Sequence, residues 1–394
     1  MRWSTRGFRT AQESQLERGF ALSLAVVPGL GHLLLGRRSR GAHLLVFALA
    51  MVLVGVWRWE AFRADLSSPD VSNRFASLFL VLSLVASVVF SVVDTRRLGA
   101  RATAEKARGT SFFQLGRRRF VANHLAVTAL YVIGILYVVA ILAPVLAPYD
   151  PDAIENVLAT RYLPPSPLHL FGTDDFGRDL FSRALYGARV SLSVGFLATL
   201  VAIGFGTMYG AVAGYFGGAV DNTLMRLVDV LLAFPTFFLM LTLVGIFEAN
   251  IVFLVLILGL TSWTGTARLI RGEILSLKER EFVEGERAIG LPHRLILFRH
   301  LIPNALAPVL VSAALMVGGM IAAEAGLSFL GIGIRPPTAS WGNMISVGQD
   351  ALLVAWWVAF FPGCLLALTI LCFNLLADGL RDALDPKTLM RKYV

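Results

Sequence analysis

The chain has 394 residues, of which 56% are hydrophobic and 15% charged, and a mean hydropathy of +0.71. A soluble domain carries roughly 25% charge, so this composition cannot cover a water-facing surface and excludes a soluble enzyme or binding module. Apolar runs of about 20 residues recur, which is the length that crosses a bilayer. The formal charge of +9 is no nucleic-acid footprint, because the arginines cluster in the loops beside apolar runs, where cytoplasmic loops collect positive charge. These observations predict an all-α polytopic membrane protein. Both cysteines, Cys364 and Cys372, fall in one apolar run and read as buried thiols, with no disulfide framework or zinc spacing.

Residues 1–122 read as an N-terminal block. Arg2, Arg6, Arg9 and Arg18 form a basic arm with no cleavage site behind a short apolar core. The run 20–35 is short and broken by Pro28-Gly29, with bases on both flanks, so a re-entrant or interfacial hairpin is expected. Runs 42–57 and 75–93 read as two spans, joined by a polar loop with Trp57 and Trp59 at the interface. A basic connector from Arg96 to Arg119 follows, with Glu105 its single acid. It belongs in the cytoplasm, against anionic lipid headgroups or simply solvated.

Residues 123–394 read as a second domain with six spans. The first is 123–146. An acidic loop, 149–183, follows it and contains FGTDDFGRDLFSRALYGARVSL at 171–192. Asp174, Asp175 and Asp179 lack the alternating ligands and terminal bidentate Glu of a calcium loop, so no metal is expected there. The run 191–213 carries Gly206, Gly210 and Gly214 at i, i+4 and i+8, a stripe that lets helices approach closely in lipid. Gly217-Gly218 makes a turn, 227–245 returns with a kink expected at Pro235, and 251–268 crosses again.

A charged segment, REFVEGERAIGLPHRLILFRHLIPN at 280–304, then interrupts the apolar pattern. It reads as a short amphipathic helix ended by Gly290 and Pro292, suited to seat in a partner. The span 308–334 holds Glu324, an ionisable group costly at that depth and therefore on a translocation path or in an interhelical polar contact. EAGLSFLGIGIRPPTASWGNM occupies 324–344, where Pro336-Pro337 and Trp341 suggest a stiff outer loop with an interfacial aromatic. The last span is 352–376, followed by a tail opening at Asp378. No G-x-x-x-x-G-K-[ST] phosphate loop or G-x-S-x-G elbow occurs. His32, His43, His124, His169, His293 and His300 are scattered without ligand spacing. No catalytic residue is expected.

Three motifs, at 171–192, 280–304 and 324–344, resemble in order those of the permease subunits of ABC importers of the dipeptide/oligopeptide/nickel family, C-type. The resemblance covers roughly residues 112–386 and leaves the N-terminal block as an addition. It implies a type I importer permease core of six transmembrane helices, plus two or three extra N-terminal membrane segments. Glu284, Arg287, Ala288, Gly290, His300 and Pro303 correspond to the loop that couples to the ATPase; Asp174, Gly177, Arg178 and Asp179 carry the outer motif. Gly285 and Glu286 stand where the family has small alanines, so a compensating base is expected in the ATPase cleft. The implied partners are a second permease subunit, two ATPase subunits that bind ATP and magnesium, and an extracytoplasmic substrate-binding protein. This chain itself would bind no cofactor. The implied location is the plasma or inner membrane with a cytoplasmic C-terminus. The implied cargo is a di- or oligopeptide; nickel or another small solute fits the same motifs, and a non-transporting membrane scaffold is the different-class alternative.

Overall fold

The computed structural model describes residues 27–28, 38–57, 71–104, 116, 119–154, 156–247 and 250–384. Its described residues are helices, turns and one isolated bridge. The expected hairpin at 20–35 lies outside them except for Val27 and Pro28, as does most of the loop at 58–74. The chain divides into two compact units, residues 1–110 with 141–146, and residues 111–140 with 147–394.

In the first unit, α1 (Arg38–Trp57) packs on α2 (Val71–Ala104). The hydroxyls of Ser83 and Ser87 donate to the carbonyls of Leu80 and Leu84, which satisfies both groups within an apolar helix. α2 contains a span-length apolar stretch, Ala76–Asp94, whereas the apolar part of α1, Ala42–Val56, is shorter.

The second unit contains α3 (His124–Ile141), α4 (Leu180–Phe216), α5 (Gly218–Leu232), α6 (Thr236–Ile246), α7 (Ile251–Leu277), α8 (Glu281–Ala288), α9 (Ile302–Phe329), α10 (Trp341–Asp350) and α11 (Trp357–Leu384). Among its described residues this unit has six membrane-length passages if α5 and α6 count as one broken span. The expected kink at Pro235 is an 81° bend between those two helices. Pro235 has no N–H to continue the ladder and caps α6 in an extended conformation.

α4 begins 11 residues before the expected span because Asp179 caps it, its carboxylate accepting from Ser182 N at 2.8 Å. The expected final span also shifts. Residues 351–354 form a turn, and α11 begins at Trp357. α10, unanticipated, precedes it behind a capping box formed by Ser340 and Asn343. Trp341 is not an interfacial aromatic: it is fully buried, its indole N–H donating to the Ala184 carbonyl at 3.1 Å. Cys372 is buried as expected, but Cys364 is exposed on the surface of α11.

The glycine stripe forms the seam between α4 and α7. A Cβ on Gly206 would lie 2.6 Å from the Trp263 carbonyl oxygen, on Gly210 2.2 Å from that of Ala267, and on Gly214 2.9 Å from that of Arg271. The fit is reciprocal, since a Cβ on Gly259 of α7 would lie 2.6 Å from Val201 Cβ. Lipid supplies no hydrophobic drive between helices, so this backbone approach supplies the van der Waals contact that joins them. Gly210→Ala is expected to cost about 1–3 kcal/mol through overpacking. Gly204→Ala, whose Cβ would meet nothing within 4 Å, should leave stability unchanged. Thermal unfolding of both variants in detergent checks the pair.

Candidate functional site

Three groups of side chains carry the motifs. The first is a knot of charges before and inside the start of α4. Asp174 Oδ1 accepts from the backbone N–H of Phe176 and Arg178, and Oδ2 from Arg178 Nε at 2.8 Å. Gly177 turns the chain at φ +78°, and a Cβ there would collide with Thr160 Oγ1. Asp179 contacts His169 Nδ1 at 2.9 Å with the oxygen that does not cap α4. Arg183, buried one turn into α4, donates to Asp152 at 3.0 Å and to the carbonyls of Pro151 and Pro337. Burial, and then the neighbouring Asp174 carboxyl, hold the Asp175 acid above the usual carboxylate range. Asp174 and Asp179 are engaged by Arg178, His169 and backbone donors, so the motif builds a tightly bonded turn ahead of α4.

The second group surrounds Glu324, which has no exposed surface. Its Oε2 accepts from Ser191 Oγ of α4 at 2.8 Å and its Oε1 from Ser328 Oγ at 2.7 Å. Each serine in turn accepts a backbone N–H, Ser191 from Trp341 at 3.3 Å and Ser328 from Ile334 at 2.9 Å. Since each hydroxyl oxygen already receives a donor, its proton is directed to the carboxyl group. Glu324 thus ends two relays that fasten α4, the segment after α9, and the first turn of α10. It makes an interhelical polar contact.

The third group is the segment between α7 and α9. Val283, fully buried, is the one side chain by which α8 enters the core, in a cluster with Ile270, Ile274, Ile296, Leu297 and Leu301. Gly290, at φ +77°, ends the helix: its N–H reaches the Arg287 carbonyl and that of Leu291 the Glu286 carbonyl. This is the double bond pattern of a Schellman stop. Glu284, Arg287, Ala288, Ile289 and Gly290 are all exposed. The Arg287 guanidinium stands 5.6 Å from the centre of the Tyr215 ring, and the Tyr215 hydroxyl meets His293 Nδ1 at 2.7 Å. A widened π-turn, Ile296–Leu301, carries the chain into α9, where Pro303 sits in the first turn. His300 Nδ1 contacts the Glu286 carboxylate across that turn.

Residues 206–390 match the family model for the binding-protein-dependent transport system inner membrane component. Residues 111–165 match that for the N-terminal transmembrane domain of oligopeptide transport permease C. The oligopeptide transport system permease protein OppC of Haemophilus influenzae is 41% identical over 71% of this chain and 90% of its own length. For the dipeptide transport system permease protein DppC of Bacillus subtilis the values are 40%, 73% and 89%; for OppC of Escherichia coli K12 they are 43%, 72% and 93%. The chain belongs to the binding-protein-dependent transport permeases.

As a permease of this family it is a multi-pass membrane component of an importer and carries no hydrolytic centre of its own. Glu324, on α9, bonds to Ser191 of α4, and Asp174, Gly177, Arg178 and Asp179 stand just before α4, while Glu284, Arg287, Ala288 and Gly290 lie on or beside α8. His300 and Pro303 stand at the entry to α9, and His300 is joined to α8 through Glu286. Within the chain the Glu286 carboxylate already meets His300 through one oxygen. Arg183 and Trp341 were missed as organising residues, although both sit inside the quoted motifs. Glu324→Ala removes the acceptor of two buried hydroxyls and is expected to destabilise the permease by about 1–3 kcal/mol. Glu324→Gln, which keeps one acceptor oxygen, should lose less; denaturation in detergent followed by tryptophan fluorescence checks the order.

Proposed function

We propose that this chain is one of two permease subunits in an ATP-driven importer that moves di- or oligopeptides delivered by a substrate-binding protein. The observation that carries the coupling role is α8. One buried residue locks it to α7 and α9, a Schellman motif ends it, and Glu284, Arg287, Ala288 and Gly290 remain exposed. A short helix fixed in this way transmits displacement instead of bending. Glu284, Arg287, Ala288 and Gly290 would seat in the cleft of an ATPase subunit, where Ile289, 77% exposed, would add an apolar contact. On this reading the α7–α9 segment and the C-terminus would face the cytoplasm, and the Asp174–Asp179 turn the outside.

ATP and magnesium belong to the two ATPase subunits. Closure of those subunits would move α8, and the α4–α7 seam and α9 would follow, opening the permease pair to the loaded binding protein. Peptide cargo is supported by the similar permeases, whose names specify oligopeptide, dipeptide and glutathione transport. Glu324 would hold the outer ends of α4 and α9 together beside the path. Residues 1–122 would form a separate membrane module added to the permease core at 123–394.

Gly290→Pro removes the N–H that reaches Arg287 and cannot adopt the positive φ. It is expected to abolish peptide uptake by the reconstituted complex while the subunits still co-purify; Glu284→Lys should do the same through charge reversal. Uptake of a labelled tripeptide into proteoliposomes, measured beside ATP hydrolysis, tests the assignment. Normal uptake in both variants would remove α8 from the coupling role.

A further inference from the structure

An open cavity of about 230 Å³ lies between the start of α7 and the strap that follows α9. Phe247, Asn250, Phe253, Leu254 and Ile257 line it from one side and residues 333–338 from the other; Arg335 is the one ionisable side chain among the lining residues described. The strap is pinned on both flanks of that arginine. Ser328 Oγ accepts from Ile334 N at 2.9 Å, and Asn343 Nδ2 donates to the carbonyls of Ile334 at 3.1 Å and Thr338 at 2.8 Å. Arg183 donates to the Pro337 carbonyl at 3.3 Å. Arg335 itself is exposed, and no ion pair or hydrogen bond engages its guanidinium among the described residues.

A guanidinium keeps its charge at any physiological pH and offers a planar fork that fits a carboxylate. Here a backbone fixed through four hydrogen bonds presents that fork, so little ordering remains to be done when an anion arrives. Beside it, the Phe247 and Phe253 rings lie stacked with centroids 5.8 Å apart and offer an apolar wall. The volume is below the roughly 300–1,000 Å³ of a site that encloses a whole drug-sized ligand, so it suits one end of a longer molecule.

We infer that Arg335 and this cavity form a subsite that receives the free C-terminal carboxylate of a peptide, with the last side chain against Phe247 and Phe253. The inference rests on the peptide-importer reading above. It makes Arg335 a residue that discriminates among cargoes at the extracytoplasmic end of the permease, before the peptide passes inward.

The test uses the whole importer in proteoliposomes, with both permease chains, the ATPase subunits and the binding protein. The probes are Ala-Ala-Phe and its C-terminal amide, each supplied as saturated binding protein. Wild type is expected to move the free acid about tenfold faster than the amide, as one charge-assisted contact predicts. Arg335→Gln should slow the free acid to near the amide rate and leave the amide unchanged, and Arg335→Lys, which keeps the charge but loses the planar fork, should keep only part of the preference. Equal slowing of both peptides would overturn the subsite and place Arg335 at the binding-protein contact. Absence of any acid preference in wild type, or of any change in Arg335→Gln, would overturn it as well. If wild-type complex hydrolyses ATP on meeting the loaded binding protein yet moves neither peptide, the peptide reading itself falls and the subsite with it.

Discussion

The core depends on how closely α4 and α7 approach each other. In lipid, apolar side chains gain nothing by leaving the tails for one another, so contact must come from shape and from polar groups. The stripe Gly206, Gly210 and Gly214 lets α4 rest on the backbone of α7. At the end of that stripe the interaction changes character. Arg271 of α7 forms a two-pronged ion pair with Asp221 of α5, and Lys278 donates to the Gly214 carbonyl at 3.0 Å. The seam then continues by contact into α8. A Cβ on Gly214 would meet Ile274, and Ile274 shares a cluster with Val283 of α8. The position of the exposed helix is therefore set by the packing of two long ones.

The opposite end of α4 follows a different rule. There the chain buries charge and has to satisfy it. Asp174, Arg178, Asp179 and Arg183 are all buried, each with a hydrogen-bonded partner. The Glu324 carboxyl receives the hydroxyls of Ser191 and Ser328, and those hydroxyls are themselves loaded with backbone donors. Arg183 and Asn343 extend the same economy of donors to the strap after α9. One end of the core is thus joined by close backbone contact and the other by directional bonds, and α4 runs between them.

Residue pattern revealed what depends on local spacing. The i, i+4, i+8 glycines, the Gly290 stop and the break at Pro235 each follow from backbone chemistry within a few residues, and the helices realise them. What depends on distant partners was hidden. Asp179 and Arg183 resemble loop residues until Ser182 N and Asp152 take up their charges. Trp341 follows two prolines, as an interfacial tryptophan would, and only the Ala184 carbonyl, 157 positions away, accounts for its burial. The Glu286–His300 contact was hidden because His300 lies 14 positions on, brought back by a π-turn that no periodicity announces. The exposure of Cys364 likewise depends on which face of α11 its neighbours cover.

The Ser191–Glu324 bond has a consequence for biosynthesis. Its partners are 133 positions apart, and Trp341, whose backbone also meets Ser191, is 150 positions away. At about 5–20 residues per second, Glu324 leaves the ribosome about 7–27 s after Ser191. Throughout that interval α4 has its hydroxyl without its final acceptor, in surroundings where an unpaired polar group is expensive. Until α9 arrives the Ser191 hydroxyl can turn back onto a carbonyl of its own helix, as those of Ser83 and Ser87 do. The bond closes late and couples completion of the outer end of the permease to delivery of its penultimate long helix.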